Sequence, residues 1–143
     1  MVRPPPDRGG HHAPRGPSRF TRYWLPVLVY VAVIFSLSAQ PNLKPPLPFP
    51  NSDKLLHLLE YGVLGLLLTR ALRARLPARR PLAVAVVALA LGSAVGAADE
   101  TFQRSVPGRQ SSAFDWAADT AGVALAQAAF AWLARNPQAA RWL

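Results

Sequence analysis

The sequence predicts an all-α membrane protein, four transmembrane helices in a bundle with both termini in the cytoplasm. Three observations carry this. Residues 81–98 are eighteen positions without a charged side chain, and residues 23–43 are twenty-one more. A helix rises about 1.5 Å per residue and a bilayer core is about 30 Å thick, so runs of this length match membrane spans. The apolar residues, 51% of the chain, gather into four blocks, whereas soluble helices keep charge along one face. The basic residues lie in short segments between those blocks, as in polytopic membrane proteins.

Residues 1–18 are rich in Pro, Gly and Arg with almost no apolar side chains. They bury too little to offset ordering entropy and read as a disordered basic tail. His11 and His12 within it are a weak metal motif and read as ordinary tail residues. A transmembrane domain over 19–135 follows, then a short tail over 136–143. Span one covers about 23–39, with Arg19 and Arg22 before it and Pro26 in its first turn, where proline costs little. Ser36-Leu37-Ser38 resembles a signal cleavage site, but the apolar run is long for a signal, so the segment reads as a retained span. Residues 40–52 hold five prolines and read as an extended loop. Span two covers about 53–72, with Ser52 or Asp53 as its cap. A basic turn over 73–81 leads to span three at 82–98. A polar connection over 99–112 leads to span four at 113–133, with Ser111 or Ser112 as its cap and Asn136-Pro137 as its stop.

Of 16 Lys and Arg residues, twelve fall in the N-terminal flank, the 70–80 turn and the C-terminal tail. The four others are Lys44, Lys54, Arg104 and Arg109. Positive charge stays inside, which places loops 40–52 and 99–112 outside. The net charge of +9 is not a nucleic-acid signature, because no segment interleaves aromatics with Lys and Arg. The chain has no cysteine, which excludes disulfides, thiolate metal sites, lipidated cysteine and a Cys nucleophile.

Six of the seven acidic residues collect at the outer ends of the spans: Asp53, Glu60, Asp99, Glu100, Asp115 and Asp119. Lys54, His57 and Tyr61 are spaced to share one helical face, with Glu60 beside them. Asp115 and Asp119 share another face, and Asp119 sits a turn deeper, where it must face the bundle and find a partner or a proton. Asp99 and Glu100 at a helix C-terminus would oppose the dipole. Either the helix continues through Phe102-Gln103, or Arg104, Arg109, Lys54 or protonated His57 compensates. Taken singly, Asp53 and Asp115 read as cap residues. Trp24, Trp116, Trp132 and Trp142 read as interface anchors. Gly92 and Gly96, with Ala117, Ala121 and Gly122, read as close helix packing. Glu60, His57 and Asp119 lie within apolar helix, and a capping role does not explain them.

Asp53-Lys54 through His57, Glu60-Tyr61-Gly62 and Gly65, then Asp99-Glu100, Gln103, Pro107 and Arg109, then Asp115, Asp119 and Gly122, follow one another in a distinctive order. This pattern resembles the VanZ-like family of small bacterial membrane proteins, over about residues 24–135. The resemblance implies four spans in the bacterial cytoplasmic membrane and a role in the cell envelope. The family name is associated with low-level resistance to the glycopeptide teicoplanin, and no settled biochemical activity comes with it.

Three readings follow. In the first, an outer-leaflet polar pocket binds an anionic lipid-linked cell-wall intermediate or a glycopeptide's lipid tail. Arg109 and Lys54 would contact phosphate or carboxylate, His57 and Glu60 would orient them, and Tyr61, Gln103 and the remaining acids would complete the pocket. In the second, the chain is an intramembrane enzyme acting on an envelope lipid, with His57 as acid–base and Glu60, Asp99, Glu100, Asp115 or Asp119 as partners or metal ligands. No nucleophile motif and no resident cofactor or metal is assigned. The third is proton or ion transport through a relay of Glu60, His57 and Asp119, which ranks last because the cytoplasmic halves of the spans lack ionisable groups away from their ends.

Overall fold

The computed structural model describes residues 18–42, 48–76 and 80–136. The expected N-terminal tail below Ser18, most of the C-terminal tail, Lys44 and Trp142 lie outside these residues. The described chain forms four α-helices: α1 (Arg19–Ser38), α2 (Ser52–Arg73), α3 (Pro81–Gln103) and α4 (Ala113–Arg135). All four are long and apolar enough to cross a membrane.

Several boundaries differ from the sequence expectations, each for a local reason. α1 starts at Arg19 rather than near residue 23, because Ser18 Oγ accepts from the Thr21 backbone N–H at 3.2 Å. Pro26 therefore lies inside the helix, past the turn where its missing N–H would be harmless. Neither Ser52 nor Asp53 is the N-cap of α2. Asn51 takes that position in left-handed conformation (φ 60°), with no side-chain cap bond; Asn is among the few non-glycine residues that visit this region readily. α3 begins at Pro81, which the sequence expectation places in the preceding turn; a proline costs little at the first helical position. It does not stop at 98 but continues to Gln103, where a bond from Gln103 Nε2 to Asp99 Oδ2 (2.8 Å) spans the added turn. Ser112 caps α4, its Oγ accepting from the Phe114 N–H at 3.1 Å.

The helices run up and down. Ser38, at the end of α1, meets Gln103 at the end of α3; Tyr30 of α1 reaches Glu60 of α2. Lys54 and Asp115 pair near the starts of α2 and α4. So α1 and α3 point one way, and α2 and α4 the other.

The closest helix contact is α2 on α4, and small residues make it possible. A Cβ at Gly122 would strike the carbonyl oxygen of Leu58 and come within 3.0 Å of the Gly62 nitrogen. One at Gly65 would lie 2.8 Å from Ala126 Cβ. Gly92 and Gly96 of α3 admit Val123 and Asp119 of α4. In lipid, where apolar burial gives helices little reason to associate, such backbone approach is a main source of packing energy. Ala117 and Ala121, expected at this contact, are exposed instead. α4 turns the Asp115–Asp119–Gly122–Val123–Ala126 stripe inward, which leaves those two alanines outside.

The core is narrow: Tyr61, Leu64, Ala71, Ala88 and Val123 are almost fully buried. Large apolar side chains cover the outside, including Leu28, Leu59, Val86, Leu125 and Trp132. A chain whose greasy residues face outward on every helix is built for an apolar solvent.

Candidate functional site

The end of the bundle formed by the last turns of α1 and α3 and the first turns of α2 and α4 holds all six acids of the described residues. Five of their side chains, all but that of Glu60, are engaged in three groups.

The first joins α2 and α4 at the rim. Lys54 Nζ lies 3.0 Å from Asp53 Oδ2 and 3.0 Å from Asp115 Oδ1. Asp115 is buried. It sits in the first turn of α4, yet Ser112 does the capping and Asp115 reaches across to the neighbouring helix. Lys54 is thus held between two carboxylates.

The second lies a turn deeper. His57 Nδ1 is 2.9 Å from Asp119 Oδ1. Asp119 is fully buried, and its second oxygen, Oδ2, has no hydrogen-bond partner. Gly96 lies against this carboxylate; a Cβ there would stand 3.0 Å from Oδ2. Glu100 joins from α3: one ligand atom from each of His57, Glu100 and Asp119 lies within 4.8 Å of the others. Glu100 Oε2 accepts from the Ser112 N–H at 2.8 Å, and Oε1 is buried without a partner.

The third group links α1 to α3. Ser38 Oγ donates to Asp99 Oδ2 at 2.9 Å, and Gln103 Nε2 donates to both Ser38 Oγ (3.1 Å) and Asp99 Oδ2. The helix carrying Asp99 and Glu100 continues through Phe102 and Gln103, the first of the two ways to accommodate them. Among the described residues no Lys or Arg forms an ion pair with either acid, and Arg104 Nε donates to Ser111 Oγ instead.

Beside these groups lies a cavity of about 930 Å³ between α1, α2 and the loop after α3. His57, Glu60, Gln103, Arg109, Asp53, Asp115, Ser38, Asn42 and Gln110 line its polar part; Tyr30, Leu37, Leu56, Leu59 and Val63 line the rest. Leu37, Leu59 and Val63 are also exposed on the outer faces of α1 and α2. The cavity therefore continues onto the apolar surface of the bundle. Two charged side chains facing it make no hydrogen bond or ion pair among the described residues. Arg109 makes no side-chain hydrogen bond or ion pair, and its Nε is buried. Glu60 also makes none through its carboxylate; its backbone carbonyl accepts from Tyr30 Oη at 3.2 Å. An unpaired guanidinium offers a planar, multidentate donor to a phosphate or carboxylate.

Of the residues singled out by sequence, His57, Glu60, Gln103, Arg109 and Asp115 border the cavity. Asp99, Glu100 and Asp119 lie buried behind it, and Lys54 is engaged at the rim. Tyr61 is fully buried with an unpartnered hydroxyl and does not line the cavity. Ser38, Asn42 and Tyr30 were not anticipated. Ser38 had one signal, a hydroxyl at the last turn of a span, but its spacing matched a cleavage site equally well. Asn42 and Gly108 meet through the loops, since a Cβ at Gly108 (φ +76°) would collide with the Asn42 amide; no sequence period encodes that contact.

A family model described as VanZ/LLP1 matches residues 18–134. No curated protein and no solved structure matches the chain at a significant level. The matched stretch contains α1, α2, α3, all of α4 but its last residue, and every residue of the three side-chain groups; the chain belongs to the VanZ/LLP1 family.

Proposed function

We propose that the protein binds an amphiphile with an anionic head in the outer leaflet of the bacterial cytoplasmic membrane. One observation carries this reading: a single cavity joins the unpartnered Arg109 guanidinium to apolar walls that run out onto the lipid-facing helix surface. The head group pairs with Arg109, and Glu60 accepts a hydrogen bond from a donor on the same head. The tail lies along Leu37, Leu59 and Val63. Its volume of about 930 Å³ is at the upper end of the usual range for small-molecule sites, roughly 300–1,000 Å³. Lipid-linked cell-wall intermediates and lipid-tailed glycopeptides of the teicoplanin type both have this chemistry. Lys54, offered by sequence as a second anion contact, is a less suitable one because two carboxylates already hold it.

The outward orientation rests on charge. Arg19, Arg22, Arg70, Arg73, Arg80 and Arg135 lie at the bundle end opposite the acids, and Lys/Arg excess marks the cytoplasmic side. Reporter fusions after Asn51 and after Pro107 are expected to report the outside; two cytoplasmic readings would invert the topology.

The binding test uses full-length protein in nanodiscs, with a fluorescent lipid-tailed glycopeptide and an undecaprenyl-phosphate analogue as separate probes. Saturable binding of either that weakens at least tenfold in Arg109→Gln is expected. Equal affinity in the variant and the unaltered protein for both probes would remove Arg109 from the site.

An enzymatic reading has its own observation. His57 borders the cavity and is oriented through Nδ1 by a buried carboxylate, an arrangement that suits proton transfer at the other ring nitrogen. Mass spectrometry of the probes after incubation separates the readings: a binding protein returns them intact, and a catalyst yields a product that His57→Ala does not.

A further inference from the structure

We propose that His57, Glu100 and Asp119 bind a divalent transition-metal ion of the Zn²⁺ type through one imidazole nitrogen and two carboxylate oxygens. The three side chains come from α2, α3 and α4, and their ligand atoms lie within 4.8 Å of one another. Both acids are more than nine-tenths buried. Each has one oxygen engaged, Glu100 Oε2 by the Ser112 N–H and Asp119 Oδ1 by His57. Each has its other oxygen, Glu100 Oε1 and Asp119 Oδ2, buried without a partner. Buried carboxylate oxygens are ordinarily hydrogen-bonded or bound to a cation, because desolvating them otherwise is costly. No Lys or Arg among the described residues pairs with either acid, and Lys54 is occupied by Asp53 and Asp115.

The donor set selects the ion. Imidazole with two carboxylates suits Zn²⁺ or Mn²⁺ better than Mg²⁺ or Ca²⁺, which favour all-oxygen shells. Metal–ligand bonds of about 2.0–2.2 Å place tetrahedral ligand atoms roughly 3.4 Å apart, so binding draws the three groups inward by an ångström or so. The Ser112 N–H on Glu100 fixes that carboxylate from behind, as outer hydrogen bonds do for metal ligands generally. This site stands apart from the amphiphile reading, because Glu60 and Arg109 carry that reading and neither is a ligand here.

The experiment uses full-length protein carrying a histidine-free affinity tag, with His11 and His12 changed to alanine to remove the tail pair. The protein is stripped with chelator, reloaded with Zn²⁺, desalted and assayed by elemental mass spectrometry. About one Zn²⁺ per chain is expected, falling at least fivefold in Glu100→Gln and in His57→Ala and unchanged in Glu60→Gln. Co²⁺ loading of the protein with these three residues intact gives a readout that needs no ligand variant: intense d–d absorption of a four- or five-coordinate N/O site. Absence of stoichiometric Zn²⁺ together with the weak spectrum of hydrated Co²⁺ overturns the proposal. So does stoichiometric Zn²⁺ that persists in both ligand variants.

Discussion

The two ends of the bundle carry opposite charge and treat it in opposite ways. At one end the arginines remain on the surface and lie over aromatic rings: Arg22 and Arg70 are 5.5 and 5.2 Å from the Tyr23 ring centre, and Arg73 is 4.8 Å from that of Phe130. Long cationic side chains reach the interface from such positions at little cost. At the other end Asp99, Glu100, Asp115 and Asp119 are buried, and each bonds to a different helix or loop from its own. A short carboxylate cannot reach out to water from there, so it must be met by a partner from another element. Charge at the first end belongs to the membrane surface; charge at the second belongs to tertiary structure.

The sharpest way to break that contrast is Asp119→Leu. It leaves His57 without its buried partner and is expected to cost about 3 kcal/mol, in line with removal of one member of a buried pair. The measurement is the unfolding midpoint in mixed detergent micelles; an unchanged midpoint would mean that the pair contributes nothing to the fold. Gly122→Leu comes next. It pushes α4 off the Leu58 carbonyl of α2, with an expected loss of about 2 kcal/mol from overpacking. Gln103→Leu removes donors from both Ser38 and Asp99 and is expected to cost about 1–2 kcal/mol. Adding Ser38→Ala should then cost less than Ser38→Ala alone, because the two share one network. The smallest effect belongs to the other end. Arg73→Gln is expected to change stability by about 0.5–1 kcal/mol, the scale of an exposed cation–π contact. A loss there as large as that of Asp119→Leu would erase the distinction between the ends.

Much of the fold was legible because it depends on short-range quantities. Four apolar runs of sufficient length become four helices, and Ser112 marks the start of α4 by chemistry visible within a few residues. The errors were local as well. Ser18 extends α1 because a single hydroxyl caps a helix that takes in the two arginines read as preceding the span. Asp99 and Gln103 extend α3 because their side chains bond to each other across the turn where the apolar run had ended. The site was legible only as a collection. Spacing placed Lys54, His57 and Tyr61 on one face and Asp115 and Asp119 on another, yet it left Asp115 as a cap and offered Lys54 to a ligand. Ser38 went unrecognised because its bonds go to residues more than sixty positions away.

What the sequence by itself determined is the solvent, the number of spans and the gathering of acids at one end, since each depends on length and order along the chain. Only the tertiary structure decided that Asp119 meets His57, that Asp115 takes Lys54, that Ser38 and Gln103 hold Asp99, and that Arg109 and Glu60 face a cavity with no side-chain hydrogen bond or ion pair among the described residues. The physical reason is helix rotation. Where a side chain points is set by which neighbours a helix can approach, and here glycines at 65, 92, 96 and 122 settle those approaches. A turn of one residue, about 100° of helix, would send a different set of acids inward.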